Sequence, residues 1–239
     1  MTPPFPADSG RSEQHAGADA ELTARAVLLD MDGTLVDSKA AVERAWRAWA
    51  GENGLDPEEV LKVVHGRQGP DSMAILLPGR PRELNVEESA RVLASETADT
   101  EGVVPVPGAS ALLSALRTLP HALVTSADDA LMRARMGAAG LPIPPVVVTA
   151  EQVSAGKPDP EGYLKAAAEL GFGPADCVVF EDSEAGIAAG VAAGMRVVGV
   201  GEGAEAAPDA GVRTLEQVTA APAPGNTGIR LVIRPGVSR

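Results

Sequence analysis

Apolar runs alternate with turn-forming residues along most of this chain, and their spacing predicts its architecture. The run Ala26-Val27-Leu28-Leu29 carries no polar residue, the pattern of a parallel strand buried on both faces. Similar runs follow beyond residue 120, at Ala122-Leu123-Val124, Val146-Val147-Val148, Val178-Val179-Phe180 and Val197-Val198-Gly199-Val200. Helix-like stretches separate them, at about residues 109–116, 129–138, 161–169 and 184–193. Strands alternating with helices imply a sheet covered on both faces, so the expected fold class is α/β with a doubly wound parallel sheet. In the last helix Gly186, Gly190 and Gly194 recur every four residues, which predicts one face packed closely on the sheet.

The pattern changes between Asp37 and about Pro107. No strong strand run occurs there, and amphipathic stretches at about 40–49, 57–64 and 85–100 predict a small helical domain inserted directly after the first strand. The expected division is therefore an α/β core over 25–37 and 108–221, interrupted by a helical insert over 38–107. The first 24 residues, rich in Pro, Gly, Ala and acids, read as a disordered extension. Residues 222–239 read as a Pro- and Gly-bearing linker and a candidate edge strand, in which Ile229, Leu231 and Ile233 fall at alternate positions.

With 239 residues and 45% hydrophobic content, the chain can bury a full core. Its 20 basic and 33 acidic residues give a net charge of −13, which argues against nucleic-acid and anionic-membrane partners. An anionic substrate would need locally concentrated positive charge. The single cysteine, Cys177, begins an apolar run and reads as an inert strand residue. Residues 185–201 are apolar but contain Arg196 and five glycines, so they split into a helix and a strand rather than spanning a membrane. Residues 1–24 lack the basic start and apolar core of a secretory signal, and a cytoplasmic protein is expected.

Candidate chemistry gathers where the strands end. Asp30 and Asp32 stand two residues apart after the first run, and two carboxylates at the rim of a core call for a nearby cation. Gly33 allows the chain to turn sharply there. Three further strand ends carry Thr125-Ser126, Lys157 and Glu181-Asp182. Hydroxyls and backbone N–H groups suit phosphate oxygens, Lys157 supplies a compact positive charge, and Asp182 with Asp30 suits a hard cation such as Mg²⁺. Each pair alone reads equally as a helix start, a turn or a solvated surface residue. Their shared position at strand ends makes the set specific.

In this order the residues resemble the haloacid dehalogenase-like phosphohydrolases, from about residue 26 to 201. Asp30-Met31-Asp32-Gly33-Thr34 is similar to the first motif of that family, Thr125 to its second, Lys157 to its third and Glu181-Asp182 to its fourth, and the insert is similar to its helical cap. The stretches HGRQ at 65–68, VTSA at 124–127 and FEDSEAGIAAG at 180–190 carry a closer likeness to sugar-, hexitol- and glycerol-phosphate phosphatases. The resemblance implies a Rossmann-like catalytic core with Asp30 as nucleophile and Asp32 as acid, then base. It implies Mg²⁺ held by Asp30, the backbone carbonyl of Asp32 and Asp182, with Glu181 behind them or as an alternative ligand. Lys157, Thr125 and Ser126 would hold the phosphoryl oxygens, and His65 and Arg67 would meet the substrate from the cap. The implied partner is a small phosphorylated metabolite, turned over by a monomer.

Dehalogenases lack the second acid, so Asp32 disfavours that chemistry. A sugar-phosphate mutase shares motifs and cap, but its distal-phosphate arginine falls on Gly69 and its cap histidine on Val42, with Arg67 as the nearest substitute. A non-catalytic phospho-ligand binder is the remaining alternative, and Asp30, Asp32, Lys157 and Asp182 together argue against it.

Overall fold

In the computed structural model, which describes residues 19–234, the chain opens with two strands, β1 (Ala20–Ala24) and β2 (Ala26–Leu29), separated by Arg25 alone yet lying in different sheets. β2 is buried throughout. Its alternate residues feed opposite cores: Ala26 and Leu28 pack with Tyr163, Val179 and Ile187, whereas Val27 and Leu29 pack with Leu112, Leu123 and Phe180. Burial on both faces is what a run without polar residues requires.

A two-residue strand, β3 (Val36–Asp37), leads into four helices, α1 (Lys39–Glu52), α2 (Pro57–Val64), α3 (Gly69–Leu76) and α4 (Arg82–Ala98). The chain returns through β4 (Val104–Pro105), which pairs antiparallel with β3. The helices build a core of their own from Trp46, Trp49, Val60, Met73 and Val92, with the indole rings edge-on at 5.3 Å between centroids. α2 begins as its sequence dictates, with Asp56 accepting a hydrogen bond from the Glu58 amide at 2.9 Å and Pro57 at the first turn. α3 went unpredicted because Gly69 and Pro70 look like breakers; Pro70 is harmless in a first turn, whose N–H groups have no helical partner.

Helices and strands then alternate as far as β8, and three more strands follow: α5 (Ala109–Leu116), β5 (His121–Val124), α6 (Asp129–Ala138), β6 (Val146–Val148), α7 (Glu161–Leu170), β7 (Cys177–Glu181), α8 (Glu184–Ala192), β8 (Arg196–Val200), β9 (Ala210–Val212), β10 (Val218–Pro222) and β11 (Ile229–Ile233). Six strands form a wholly parallel sheet in the order β6-β5-β2-β7-β8-β9. The chain runs outward from β2 to β5 and β6, then returns to β7 on the other side. The carboxyl end of β2 is therefore a topological switch point, where loops part and a ligand crevice opens. Among the described residues, no helix is long and apolar enough to cross a membrane.

Two readings of the chain ends need correction. Ala20–Ala24 is no disordered extension but a strand, paired antiparallel with β11 from Ala20↔Ile233 to Ala24↔Ile229. Its partner lies some 200 residues away, so no local signal announces it. The rest of that extension, residues 1–18, lies outside the described residues, as do 235–239. β11 is not an edge strand but the centre of a three-stranded sheet, β1-β11-β10, with Ile229, Leu231 and Ile233 buried against the main core. Gly194 also departs from expectation: it follows α8 with φ 73°, ending the helix, while Gly186 and Gly190 do the close packing.

Candidate active site

Asp30 is the first residue beyond β2, and its amide donates to the Phe180 carbonyl at 3.0 Å, so the sheet ladder delivers its carboxylate to the switch point. Lys157, from the loop between β6 and α7, inserts its ammonium beside it. That ammonium donates to Asp30 Oδ1, to Glu181 Oε1 at 2.6 Å and to the Val124 carbonyl at 3.2 Å, which employs all three of its donors in a buried site. Glu181 Oε1 also accepts from the Tyr163 hydroxyl at 2.9 Å. Its Oε2 accepts from the amides of Asp182 and Ser183 at 2.9 and 3.0 Å and from the Ser183 hydroxyl at 3.1 Å. A Cβ at Gly186 would lie 1.6 Å from Glu181 Oε1, so the glycine read as packing on the sheet makes room for this carboxylate.

Asp30, Glu181 and Asp182 each bring a carboxylate oxygen within 4.8 Å of the others, a cluster able to hold a metal ion. Burial, then the charge of Glu181, pushes Asp30 up to about 8 against the pull of Lys157. Burial and Asp30 likewise raise Asp182 well above the carboxylate range. Burial opposes the Lys157 charge, but Asp30 and Glu181 outweigh it and keep the ammonium protonated. One ammonium against three carboxylates leaves an excess of negative charge, and a ligand set of oxygen alone fits a hard divalent cation. Gly33, with φ 83°, lets the first loop lie against Asp182: a Cβ there would sit 1.8 Å from its Oδ2.

Asp32 stands apart from that cluster. Its Oδ1 accepts from the Ser38 hydroxyl at 2.6 Å and lies 2.9 Å from Arg135 Nη1 on α6. Arg135 Nη2 donates to Glu96 Oε2 on α4 at 3.0 Å. No local pattern marks Ser38, Glu96, Arg135 or Tyr163 as site residues. Each reads as an ordinary helix-flanking or helical residue, and only Ser38, six residues past Asp32, is even near a motif.

The helical insert sits over these loops and encloses a cleft of about 630 Å³, lined by Asp30, Asp32, Asp182, Ser126, His65 and Arg67 among others. The insert is seated on the sheet domain through its 65–68 loop. Ser126 donates to the Gly66 carbonyl at 3.1 Å, Gly66 lies against Ser183, and the Gln68 side chain lies against Gly156. Thr125 is buried beside a small void that Lys157 and Gln68 also line, and its hydroxyl oxygen accepts from the Ala127 amide at 3.0 Å. The structure thus brings Asp30, Lys157, Glu181 and Asp182 into one cluster and puts Asp32 beside it. Ser126, His65 and Arg67 lie along the cleft wall.

The buried glutamate makes a stability prediction. Burial pushes Glu96 up from 4.5 to about 7, against Arg135 and with Asp32 adding to the rise. Between those values the native protein keeps a proton that the unfolded chain has released, so stability falls as pH rises through 4.5 to about 7 and is level above. Glu96→Gln should flatten that fall by at most ~3 kcal/mol, measured by urea denaturation at pH 5 and at pH 7.5.

These features define a doubly wound α/β protein with an acid-and-lysine cluster at its switch point, roofed by helices. The chain belongs to the haloacid dehalogenase-like hydrolases, whose sequence pattern matches residues 24–194. It is 46% identical over 198 residues to hexitol phosphatase A of Escherichia coli strain K12, covering 80% of this chain and 92% of that protein. It is 35% identical over 192 residues to glycerol-1-phosphate phosphohydrolase 1 of Saccharomyces cerevisiae, covering 75% of each. Among solved structures it is similar to β-phosphoglucomutase from Clostridium difficile, with a TM-score of 0.72 at 22% identity, covering 82% of this chain and 93% of that one. That likeness attests the fold alone.

Proposed function

We propose that this protein is a Mg²⁺-dependent phosphatase that hydrolyses a small sugar or polyol phosphate monoester through an aspartyl-phosphate on Asp30. The observation that carries the reading is the buried contact of Asp30 with Lys157, within reach of Asp182 and beneath the cleft. The similarity to hexitol and glycerol-1-phosphate phosphatases supports the substrate class.

Asp30 attacks phosphorus opposite the ester oxygen; its O–P bond forms as the bond to the leaving alcohol breaks. Asp32 gives that oxygen a proton, then takes one from the water that attacks the aspartyl-phosphate and returns Asp30 as a carboxylate. Lys157, Thr125 and Ser126 hold the phosphoryl oxygens, and His65 and Arg67 meet the remainder of the substrate. Asp30, Asp182 and the Asp32 carbonyl would hold Mg²⁺, which supplies positive charge against the repulsion between carboxylate and phosphate. Glu181, whose oxygens already accept five hydrogen bonds, serves in this reading as the anchor of Lys157 rather than as a metal ligand. The insert, residues 38–107, acts as the cap that excludes water. The reading is of a cytoplasmic monomer acting on a free metabolite.

A mutase would need to grip a second phosphate from the cap. Val42 and Gly69 line the cleft at the positions where a mutase would place its histidine and arginine and bring no charge there, which leaves Arg67 as the substitute cation on that wall.

The test is phosphate release from hexitol 6-phosphates, hexose 6-phosphates and glycerol phosphates, compared by kcat/KM. We expect turnover with Mg²⁺, a loss of at least ~10³-fold with EDTA, and recovery when Mg²⁺ is restored. Binding without phosphate release would leave only a phospho-ligand binder, and an isomerised product would restore the mutase.

A further inference from the structure

Arg135 lies outside the four motifs, yet it is the buried cation through which the two halves of the site touch. One of its nitrogens lies 2.9 Å from Asp32 Oδ1 and another donates to Glu96 Oε2 at 3.0 Å. Asp32 belongs to the loop after β2, and Glu96 to α4 of the helical insert, so a single guanidinium spans both. Only 4% of the Arg135 side chain and 6% of that of Glu96 are exposed. Shielded from water, such contacts are stronger than surface ion pairs, and breaking one leaves a buried charge uncompensated.

Asp32 Oδ1 receives both the Ser38 hydroxyl and Arg135. A hydrogen bond and an ion pair on one oxygen restrain the plane of the carboxylate, whose terminal torsion is otherwise broad, and leave Oδ2 for exchange with substrate. We propose that Arg135 is a positioning residue for proton transfer by Asp32, held there from the insert by Glu96. The inference rests on the reading of Asp32 as the acid. In that step the Asp32 O–H bond breaks, the alcohol O–H forms and the P–O bond breaks, while Arg135 keeps all its protons. Transfer needs hydrogen-bond reach, and a misplacement of about 1 Å costs on the order of 10²-fold.

The test uses leaving groups. p-Nitrophenolate departs with little need of a proton, whereas an alkoxide needs one, so a mis-aimed acid harms alkyl esters selectively. In the full-length protein with Mg²⁺, kcat/KM is measured for p-nitrophenyl phosphate and for glycerol 1-phosphate or sorbitol 6-phosphate, whichever is turned over faster. Arg135→Met should lower kcat/KM for the alkyl ester at least ~10-fold more than for the aryl ester, with Glu96→Gln shifting the ratio the same way by ~3-fold. Arg135→Lys and Glu96→Gln keep the test open if Arg135→Met fails to fold, as judged by melting. Asp32→Asn separates the two ideas. If it splits the substrates while the Arg135 and Glu96 variants lower both equally, the inference is overturned and the reading of Asp32 stands. If Asp32→Asn itself lowers both equally, the acid assignment fails and takes the inference with it.

Discussion

Asp30→Asn should leave a folded protein that releases phosphate from no ester, a loss of at least about 10⁴-fold in kcat, because the substitution removes the nucleophile and not merely a charge. The change is sterically small, and the amide oxygen can still accept the hydrogen bond from Lys157, so the lattice around Val124 and Glu181 keeps its shape. It also relieves a buried cluster of like charges, since Glu181 and Asp182 each lie within 4.8 Å of Asp30. Substrate binding should survive where turnover does not. Acid quenching of the wild type during turnover with labelled substrate should trap label on the protein, and Asp30→Asn should trap none. Label on the variant would place the nucleophile elsewhere.

Lys157→Met should rank second, lowering kcat/KM by about 10³-fold while also weakening the fold. The ammonium is the one positive group shown in contact with both Asp30 and Glu181. Methionine fills its space but leaves those carboxylates facing each other with no compensating charge, and losing one partner of such a buried pair costs about 3–5 kcal/mol. Arginine should not rescue activity, because a planar guanidinium cannot reproduce three donors radiating from one atom toward Asp30, Glu181 and the Val124 carbonyl. Melting curves should show the lowered stability, with Mg²⁺ restoring part of it. A variant as stable and as active as the wild type would remove Lys157 from the proposed chemistry.

The central sheet was legible because its strands are short and apolar throughout, so position in the sequence alone tells where each loop must emerge. That logic also brought together Asp30, Glu181 and Asp182, which lie at strand ends, whereas Lys157 lies nine residues past β6, deep in the loop before α7, and not at the strand end expected of it. It could not find Arg135 or Glu96. Each sits inside a helix among alanines and other charged residues, and its partner is 39 residues away in sequence, in another layer of the fold. Nor could it find β1, where Glu21, Leu22 and Thr23 form too short an alternation to stand out. The β9 strand, Ala210–Val212, was missed for a related reason: it contains a glycine and follows loosely patterned sequence. Local pattern reveals elements that bury themselves, and it is silent on elements defined by a distant partner.

The pairing of Ala20 with Ile233 has a bearing on how the molecule is made. During synthesis β1 emerges long before β11, and it cannot complete its ladder until the ribosome has delivered the segment around Ile229. Nascent chains halted before that point would carry every loop that bears chemistry while one flank of the main core stayed unclasped. Joining Ile233 to Ala20 by a short peptide and opening the chain at an exposed turn should therefore keep the clasp intact while changing the order in which it closes.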